Sequence, residues 1–372
     1  MNVHYFILLC DFIGGFVIGA VIIMLLLKIA YSNRIFDMPD SRKIHEMPVP
    51  RLGGMSFLPT VIIIVATTIS VLYKLDLTTI SFGENASFMQ MTYMLVGAIV
   101  LYLVGITDDL ATLDYRVKLA FQFIAAAILV LAGLRINDCY GLLMLHEIPK
   151  VFSIPFTILL LVFVTNAINM IDGIDGLASG ICLITLSLVL VMYLVERKFV
   201  YAMVSSTVLG SVFVFWLFNM FGKREKNTKI FMGDTGSLTL GLMLCYLVVN
   251  LDSFVGHHGL TSHRNTIYYT LAFASLMIPL LDVVRLFFFR LLKHHSPFLP
   301  DMNHIHHKLM RCGFTDRQTL WILLGADVII IGLNALMSLV PLSVNLIFLL
   351  DIAIYVIGIW QINRHMKPLP ET

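Results

Sequence analysis

The chain has 372 residues, 59% of them hydrophobic and 13% charged, and its 25 Lys+Arg against 23 Asp+Glu leave a formal net charge of +2. A typical soluble protein carries about 25% charged residues, so this balance, with a mean hydropathy of +0.90, excludes an ordinary soluble domain. No basic tract marks a nucleic-acid surface, and no positive n-region or small-residue cleavage site gives the N-terminus a signal-peptide layout.

Apolar runs of roughly 20 residues, the length that crosses a hydrocarbon core, recur from end to end. In chain order they are predicted at 5–30, 53–74, 91–107, 118–135, 151–168, 177–195, 200–218, 236–251, 267–290, 319–340 and 344–362. That is about eleven spans, read as one all-α polytopic membrane bundle forming a single domain over residues 1–372. The spans at 91–107 and 151–168 are short and run into polar clusters. No internal repeat is visible, which argues against an inverted-repeat transporter. The five cysteines, Cys10, Cys139, Cys182, Cys245 and Cys312, form no CxxC pair and no zinc spacing.

Lys and Arg set the orientation. One series of loops carries Arg34, Arg42, Lys43 and Arg51, then Arg116, then Lys223, Arg224, Lys226 and Lys229, then Lys293, Lys308, Arg311 and Arg317, with Arg364 and Lys367 in the tail. The alternate loops carry only scattered cations, so the first series is predicted to face the cytoplasm. The N-terminus then lies outside and the C-terminus inside. Four polar clusters fall on that same cytoplasmic face, which points to one composite site.

The first cluster, Gly105-Ile-Thr-Asp-Asp109, ends an apolar helix with two adjacent carboxylates. They repel each other, and the helix dipole disfavours them there, so they need a cation. Lys118, opening the next helix, can supply it; the plain alternative is a solvated helix end. The second, Asn166-Ala-Ile-Asn-Met-Ile-Asp-Gly-Ile-Asp-Gly176, spaces Asn169, Asp172 and Asp175 three apart. On a helical turn they share a face, and oxygen groups at this density suit Mg²⁺. A mere polar break between spans would not need the repeated Asp-Gly. The third, Phe231-Met-Gly-Asp-Thr-Gly-Ser237, opens another span. Amides at a helix N-terminus favour phosphate, and a carboxylate beside a phosphate requires a bridging cation. Asp234 is therefore the first metal ligand to consider, unless it only caps its own helix. The fourth, His304-Ile-His-His307, follows Ser296-Pro297 and Asp301. Three histidines can bind zinc, but the HExxH pattern is absent, and contact with a diphosphate fits better.

Charged residues inside spans are expensive and usually functional. Asp282 and Arg285 stand three apart near an inner end, as a salt bridge bordering the site. Asp327 and Asp351 lie deeper, as helix–helix contacts. Asp11 is placed near the outer end of the first span, in contact with water.

These four motifs, in this order, resemble the polyprenyl-phosphate N-acetylhexosamine-1-phosphate transferases. Lesser matches are Arg42-Lys43 with Pro50-Arg-Leu-Gly-Gly54, and Pro279-Leu-Leu-Asp-Val-Val-Arg285. The resemblance runs from about residue 35 to about residue 315. The His-Ile-His-His pattern is more like the bacterial N-acetylglucosaminyl 1-phosphate branch, which starts lipopolysaccharide O-antigen, enterobacterial common antigen or teichoic acid synthesis. The sister branch acts on UDP-MurNAc-pentapeptide and usually has three consecutive histidines.

The resemblance implies a Mg²⁺-dependent enzyme, with Mn²⁺ as a substitute. It would move N-acetylhexosamine 1-phosphate, GlcNAc-1-phosphate first, from a UDP-sugar to undecaprenyl phosphate, releasing UMP at the cytoplasmic face of the bacterial inner membrane. Asp234 and Asn169 would hold the metal. Asp108, Asp109, Lys118, His304, His306 and His307 would form the catalytic group. Asn166, Asp172, Gly173, Asp175, Phe231, Asp282 and Arg285 would bind substrate, Phe231 with the Gly173 and Asp175 segment touching uracil. The implied partners are the UDP-sugar, the lipid phosphate and the membrane, with a homodimer left open. A phosphomonoester is largely dianionic at pH 7, so the carboxylate pair is expected to orient Lys118 or a metal-bound water more than to remove a proton. A nucleotide-sugar or anion transporter is the competing class; its polar site should lie near the bilayer midplane.

Overall fold

The computed structural model describes residues 3–33, 49–77, 85–255, 263–294, 303–340 and 342–366. Its helices are α1 (Val3–Asn33), α2 (Phe57–Lys74), α3 (Asn85–Ala111), α4 (Tyr115–Leu131), α5 (Lys150–Ile171), α6 (Leu177–Val195) and α7 (Phe199–Phe221). They continue with α8 (Gly233–Val255), α9 (His263–Ala274), α10 (Met277–Leu292), α11 (Ile305–Arg311), α12 (Asp316–Met337) and α13 (Val344–His365). Among the described residues nine helices are long and apolar enough to cross a membrane, or ten if a bent pair counts as one span. This is an all-α polytopic membrane bundle. The α4 helix has 17 residues, about 25 Å at 1.5 Å per residue.

Several boundaries follow from local chemistry. Asp114 caps α4 through the Arg116 amide, Ser343 caps α13, and Thr315 with Gln318 forms a capping box at α12. The expected span 91–107 begins earlier and ends later, at Asn85–Ala111. The expected span 267–290 is broken: Thr266–Ala274 and Met277–Leu292 meet at 64°. Pro279 accounts for the break, since its ring excludes the carbonyl of Ser275 from a continuous helix. Asp11 is corrected: it is buried, and the Thr68 hydroxyl donates to it at 2.5 Å. The length of α1 carries Asp11 well inside the α1–α2 contact.

The bundle is wrapped around α8, the most enclosed of the spans, whereas α1 and α13 turn most of their apolar surface outward. Such outward apolar faces are what lipid requires. The first turn of α8 is gripped from two sides. A Cβ on Gly54 would lie 2.0 Å from the Gly236 Cα, and one on Gly105 would lie 2.3 Å from the Thr235 Cα. Only glycine lets the Gly53–Ser56 turn and α3 come this close. The strand-like segment before α8 is zipped to the same turn: Phe231 donates to the Pro50 carbonyl at 2.9 Å, while Gly53 and Gly54 donate to the Phe231 and Met232 carbonyls at 2.9 and 2.8 Å. The N-terminus of the central helix is thereby fixed at one end of the bundle.

Candidate active site

Chain direction brings the C-termini of α3 and α5 and the N-termini of α4 and α8 to that end. Lys118, one turn into α4, donates to Asp108 Oδ2 at 3.0 Å and to Asp234 Oδ2 at 2.9 Å. It is the expected cation beside the carboxylate pair, and it also reaches the third motif. Asp108 is steadied from behind by the Leu113 amide, 2.6 Å from its Oδ1.

Asp109 does something different. Its Oδ1 accepts from the Asp234 amide at 2.8 Å, and its Oδ2 accepts from the Thr235 amide and hydroxyl at 3.0 and 2.6 Å. It caps α8 from a neighbouring helix. The amides expected to cradle a phosphate at this helix start are therefore already taken by a carboxylate, which has the same charge preference for a positive helix end. The two adjacent aspartates have separate tasks: Asp108 holds Lys118, and Asp109 holds the backbone that carries Asp234.

Asn169 joins the second motif to this group. Its amide donates to Asp234 Oδ1 at 3.0 Å and to Ser237 Oγ at 2.7 Å. Asn166, one turn deeper in α5, is placed elsewhere: its amide pairs with the Gln122 side chain and the Val162 carbonyl. Asp172 caps the end of α5. Burial, then the charges of Asp234 and Asp175, push its carboxyl up to about 7, with Arg51 opposing and Asp109 adding. Carboxylates here outnumber the cations facing them.

Asp175 leans away from Asp234. Its Oδ2 lies 2.5 Å from the buried Lys229 ammonium, and the Asn219 amide lies 3.4 Å from its Oδ1. Asn219 also accepts from the Gly176 amide at 2.6 Å and donates to the Ile230 carbonyl at 2.9 Å. This pair ties the Asp-Gly turn to the segment bearing Phe231, and sequence reasoning missed it. In the sequence Lys229 marks only topology, and Asn219 sits in an otherwise apolar run.

The histidine motif forms α11 and meets the second motif directly. A Cβ on Gly173 would lie 2.1 Å from the His306 Nε2, so the Nε2 end of the ring abuts that glycine. His306 is 1% exposed, and both its nitrogens lack a hydrogen-bond partner among the described residues. Burial, then His307 and His304, lower its pKa to about 3, so the ring is neutral at pH 7. His304 and His306 stack at 5.6 Å, with His307 4.2 Å from His306. Asp282 and Arg285 are brought together, but against this helix and not beside Lys118. Asp282 receives the Arg285 guanidinium at 2.7 Å, His304 Nδ1 at 2.9 Å, the Ile305 amide at 3.1 Å and the Tyr355 hydroxyl at 3.1 Å. Arg285 also donates to the Asn303 carbonyl at 2.6 Å, and Lys308 to Asn363 at 2.7 Å. Tyr355 and Asn363 are further residues that sequence reasoning missed, in the last helix and far from any motif. Deeper in the bundle, Asp351 accepts from Asn334 at 2.8 Å, the helix–helix contact expected of it. Arg42, Lys43, Ser296, Pro297 and Asp301 lie outside the described residues.

All four motifs thus touch: the first and third through Lys118 and Asp109, the second and third through Asn169, the second and fourth through Gly173. Among the described residues no group of three His, Cys, Asp or Glu side chains is arranged to hold a metal by itself. The oxygens at the junction are those of Asp234, toward which Asn169 turns its amide nitrogen, in surroundings with excess negative charge. Such a partial shell fits Mg²⁺, which keeps waters and takes phosphate oxygens as ligands, and not a closed zinc cage.

Comparison with known proteins gives a consistent picture. A family profile, glycosyl transferase family 4, matches residues 91–252. The chain is 31% identical over 348 residues, 92% of its length and 89% of the other, to a probable undecaprenyl-phosphate N-acetylglucosaminyl 1-phosphate transferase of Bacillus subtilis. It is 28% identical to the undecaprenyl-phosphate alpha-N-acetylglucosaminyl 1-phosphate transferase of Salmonella typhi, covering 96% of this chain and 94% of that one. The Escherichia coli K12 protein of the same name is 25% identical, with 96% and 93% covered.

Proposed function

We propose that this chain, which belongs to the polyprenyl-phosphate N-acetylhexosamine-1-phosphate transferase family, transfers GlcNAc-1-phosphate from UDP-GlcNAc to undecaprenyl phosphate, releasing UMP. The observation that supports this most is Lys118 bridging Asp108 and Asp234, with Asn169 on the other oxygen of Asp234. A cation and a carboxylate suited to a metal meet there at one end of the bundle.

Phosphoryl transfer asks mainly for positioning and charge stabilisation. Asp234 and Asn169 would hold a divalent cation, which would supply charge neutralisation to the donor diphosphate. Lys118 then gives a second positive charge on the acceptor side. Asp108 holds that ammonium in place, and little proton removal is needed because the lipid phosphate is already largely dianionic. Asp109 fixes the turn on which Asp234 rides. Phe231 and the Gly173–Asp175 turn, locked together by Asn219 and Lys229, face the uridine. The α11 histidines close the sugar-diphosphate side. Being neutral, His306 contributes contact and not charge.

The α3–α8 site end is the cytoplasmic end, reached by eleven spans with the N-terminus outside, the bent pair and α4 each counting as one. A soluble anionic donor must arrive from the cytoplasm, and the acceptor's tail must stay in lipid. An apolar groove of about 220 Å³ between α5, the bent pair and α13, lined by Phe156, Leu160, Phe273 and Phe348, suits a polyprenyl chain. The whole chain acts as one transferase unit in the bacterial inner membrane.

The test uses purified protein in nanodiscs, with UDP-GlcNAc labelled in the β-phosphate. Label recovered in the lipid phase, together with the sugar, supports the reading. Sugar in the lipid without the label would mean simple glycosyl transfer. Uptake of intact UDP-GlcNAc by proteoliposomes, with no lipid product, would mean transport.

A further inference from the structure

At the end of the bundle opposite the site, the chain between α4 and α5 forms a small hairpin. Asp138 and Glu147 bridge in antiparallel fashion. Cys139 donates to the His146 carbonyl at 3.2 Å, Gly141 to Leu145 at 2.9 Å and Ile148 to Asn137 at 2.8 Å. The tip is Leu142-Leu-Met-Leu145. Leu143 is 76% exposed, Met144 90% and Leu145 55%.

Two features set this tip apart from a loop that faces water. Leu143 and Met144 have φ of 53° and 63°, the left-handed region that turns normally fill with Gly, Asn or Asp. Large apolar residues at these positions give up backbone comfort without protein contact in return. The tip is also clamped. The Leu143 amide donates to Asn345 Oδ1 at 2.7 Å, and the Asn345 amide returns to the Gly141 carbonyl at 2.7 Å. A side chain in the first turn of α13 thus holds the exposed leucine and methionine in a fixed pose.

The neighbours show what surrounds them. Val151 and Phe152, which follow the hairpin into α5, are 78% and 67% exposed, and the outward face continues down α5 through Phe156 and Leu159. That face belongs to a membrane span. The polar residues His146, Glu147 and Lys150 sit between tip and span, as polar groups do at the headgroup level. We propose that the Leu142–Leu145 tip is a membrane anchor, seated in the acyl region of the leaflet remote from the site. It fixes the depth of α4 and α5. Through Asn345 it also fixes α13, whose other half holds the histidine helix by Asn363 and, through Asp282, by Tyr355.

The experiment needs no substrate and does not depend on the transferase reading. Cys10 and Cys312 are replaced by serine; Cys139, Cys182 and Cys245 are buried. A nitroxide is attached at Met144→Cys, and separately at Glu147→Cys, in full-length protein in phosphatidylethanolamine–phosphatidylglycerol nanodiscs. The expected result is a label at 144 relaxed more by oxygen than by a water-soluble nickel chelate, with the reverse at 147. Should the Met144 variant fail to insert, Leu145→Cys carries the same expectation. Nickel access at 144 equal to that at 147 overturns the proposal. So does shielding from both agents with label–label broadening, which would mean that a second copy covers the tip.

Discussion

Asp109→Ala removes the group that caps α8 from outside. Two backbone amides, of Asp234 and Thr235, and one hydroxyl lose their acceptor at once. Each orphaned amide in a partly buried setting costs about 1–2 kcal/mol, so the loss is about 2–4 kcal/mol. Detergent-solubilised protein should show it as a fall in apparent melting temperature of about 3–5 °C. Activity should fall too, because Asp234 rides on the loosened turn, and a displacement of about 1 Å in such a site can cost about a hundredfold. Asp108→Asn is the contrast. Its side chain holds Lys118 and the Leu113 amide and lies beside the Asp234 carboxylate but caps no helix, so the melting temperature should stay within about 1 °C while kcat falls by a similar factor. Paired thermal-shift and kcat measurements on the two variants decide. An Asp109→Ala protein as stable as the parent, yet inactive, would refute the capping role and place Asp109 on the substrate.

Three further outcomes follow from the same contacts. Gly173→Ala drives a methyl to within 2.1 Å of the His306 ring; kcat should drop at least about tenfold, and His306→Ala in the same chain should recover part of it, as a double-mutant cycle would show. Tyr355→Phe deletes one of four donors to Asp282, worth about 1 kcal/mol; kcat should fall roughly fivefold with KM for the UDP-sugar unchanged, measured by steady-state kinetics. Asp172 holds a proton below about pH 7, and a bound cation favours its ionised form. Mg²⁺ affinity, read by titration, should therefore climb by up to about tenfold per pH unit below that value and level off above it; a flat profile from pH 6 to 8 would remove Asp172 from the metal's surroundings.

Much of this architecture was legible because membrane spans write themselves in long apolar runs, and because the polar motifs interrupt those runs at their ends. Lys118 beside Asp108 and the Asp282–Arg285 pair could be anticipated from charge and spacing, and Asn169 beside Asp234 from the family resemblance. The division of labour between Asp108 and Asp109 could not. Adjacent aspartates are equivalent in sequence, and only the packing of Gly105 against Thr235 turns one of them toward the α8 amides. Tyr355 and Asn219 were hidden for a related reason. Each is one polar group in an apolar helix, meaningful only once another helix lies against it. The broken span carried its signal in Pro279, but length alone favoured a continuous helix. Asp11 was misplaced by a few residues of depth, the distance that decides whether a side chain meets water or a neighbour such as Thr68.

The central claim is that the Lys118–Asp234 junction is where a nucleotide-linked sugar phosphate meets a lipid phosphate. UMP release by the purified chain, with UDP-GlcNAc and undecaprenyl phosphate, tests it most directly, in the presence and absence of Mg²⁺ and with Asp234→Ala alongside. The account predicts release that requires both the lipid and the metal and is lost in the well-folded Asp234→Ala protein. Release that persists undiminished in that variant, or that needs no lipid phosphate, would contradict it.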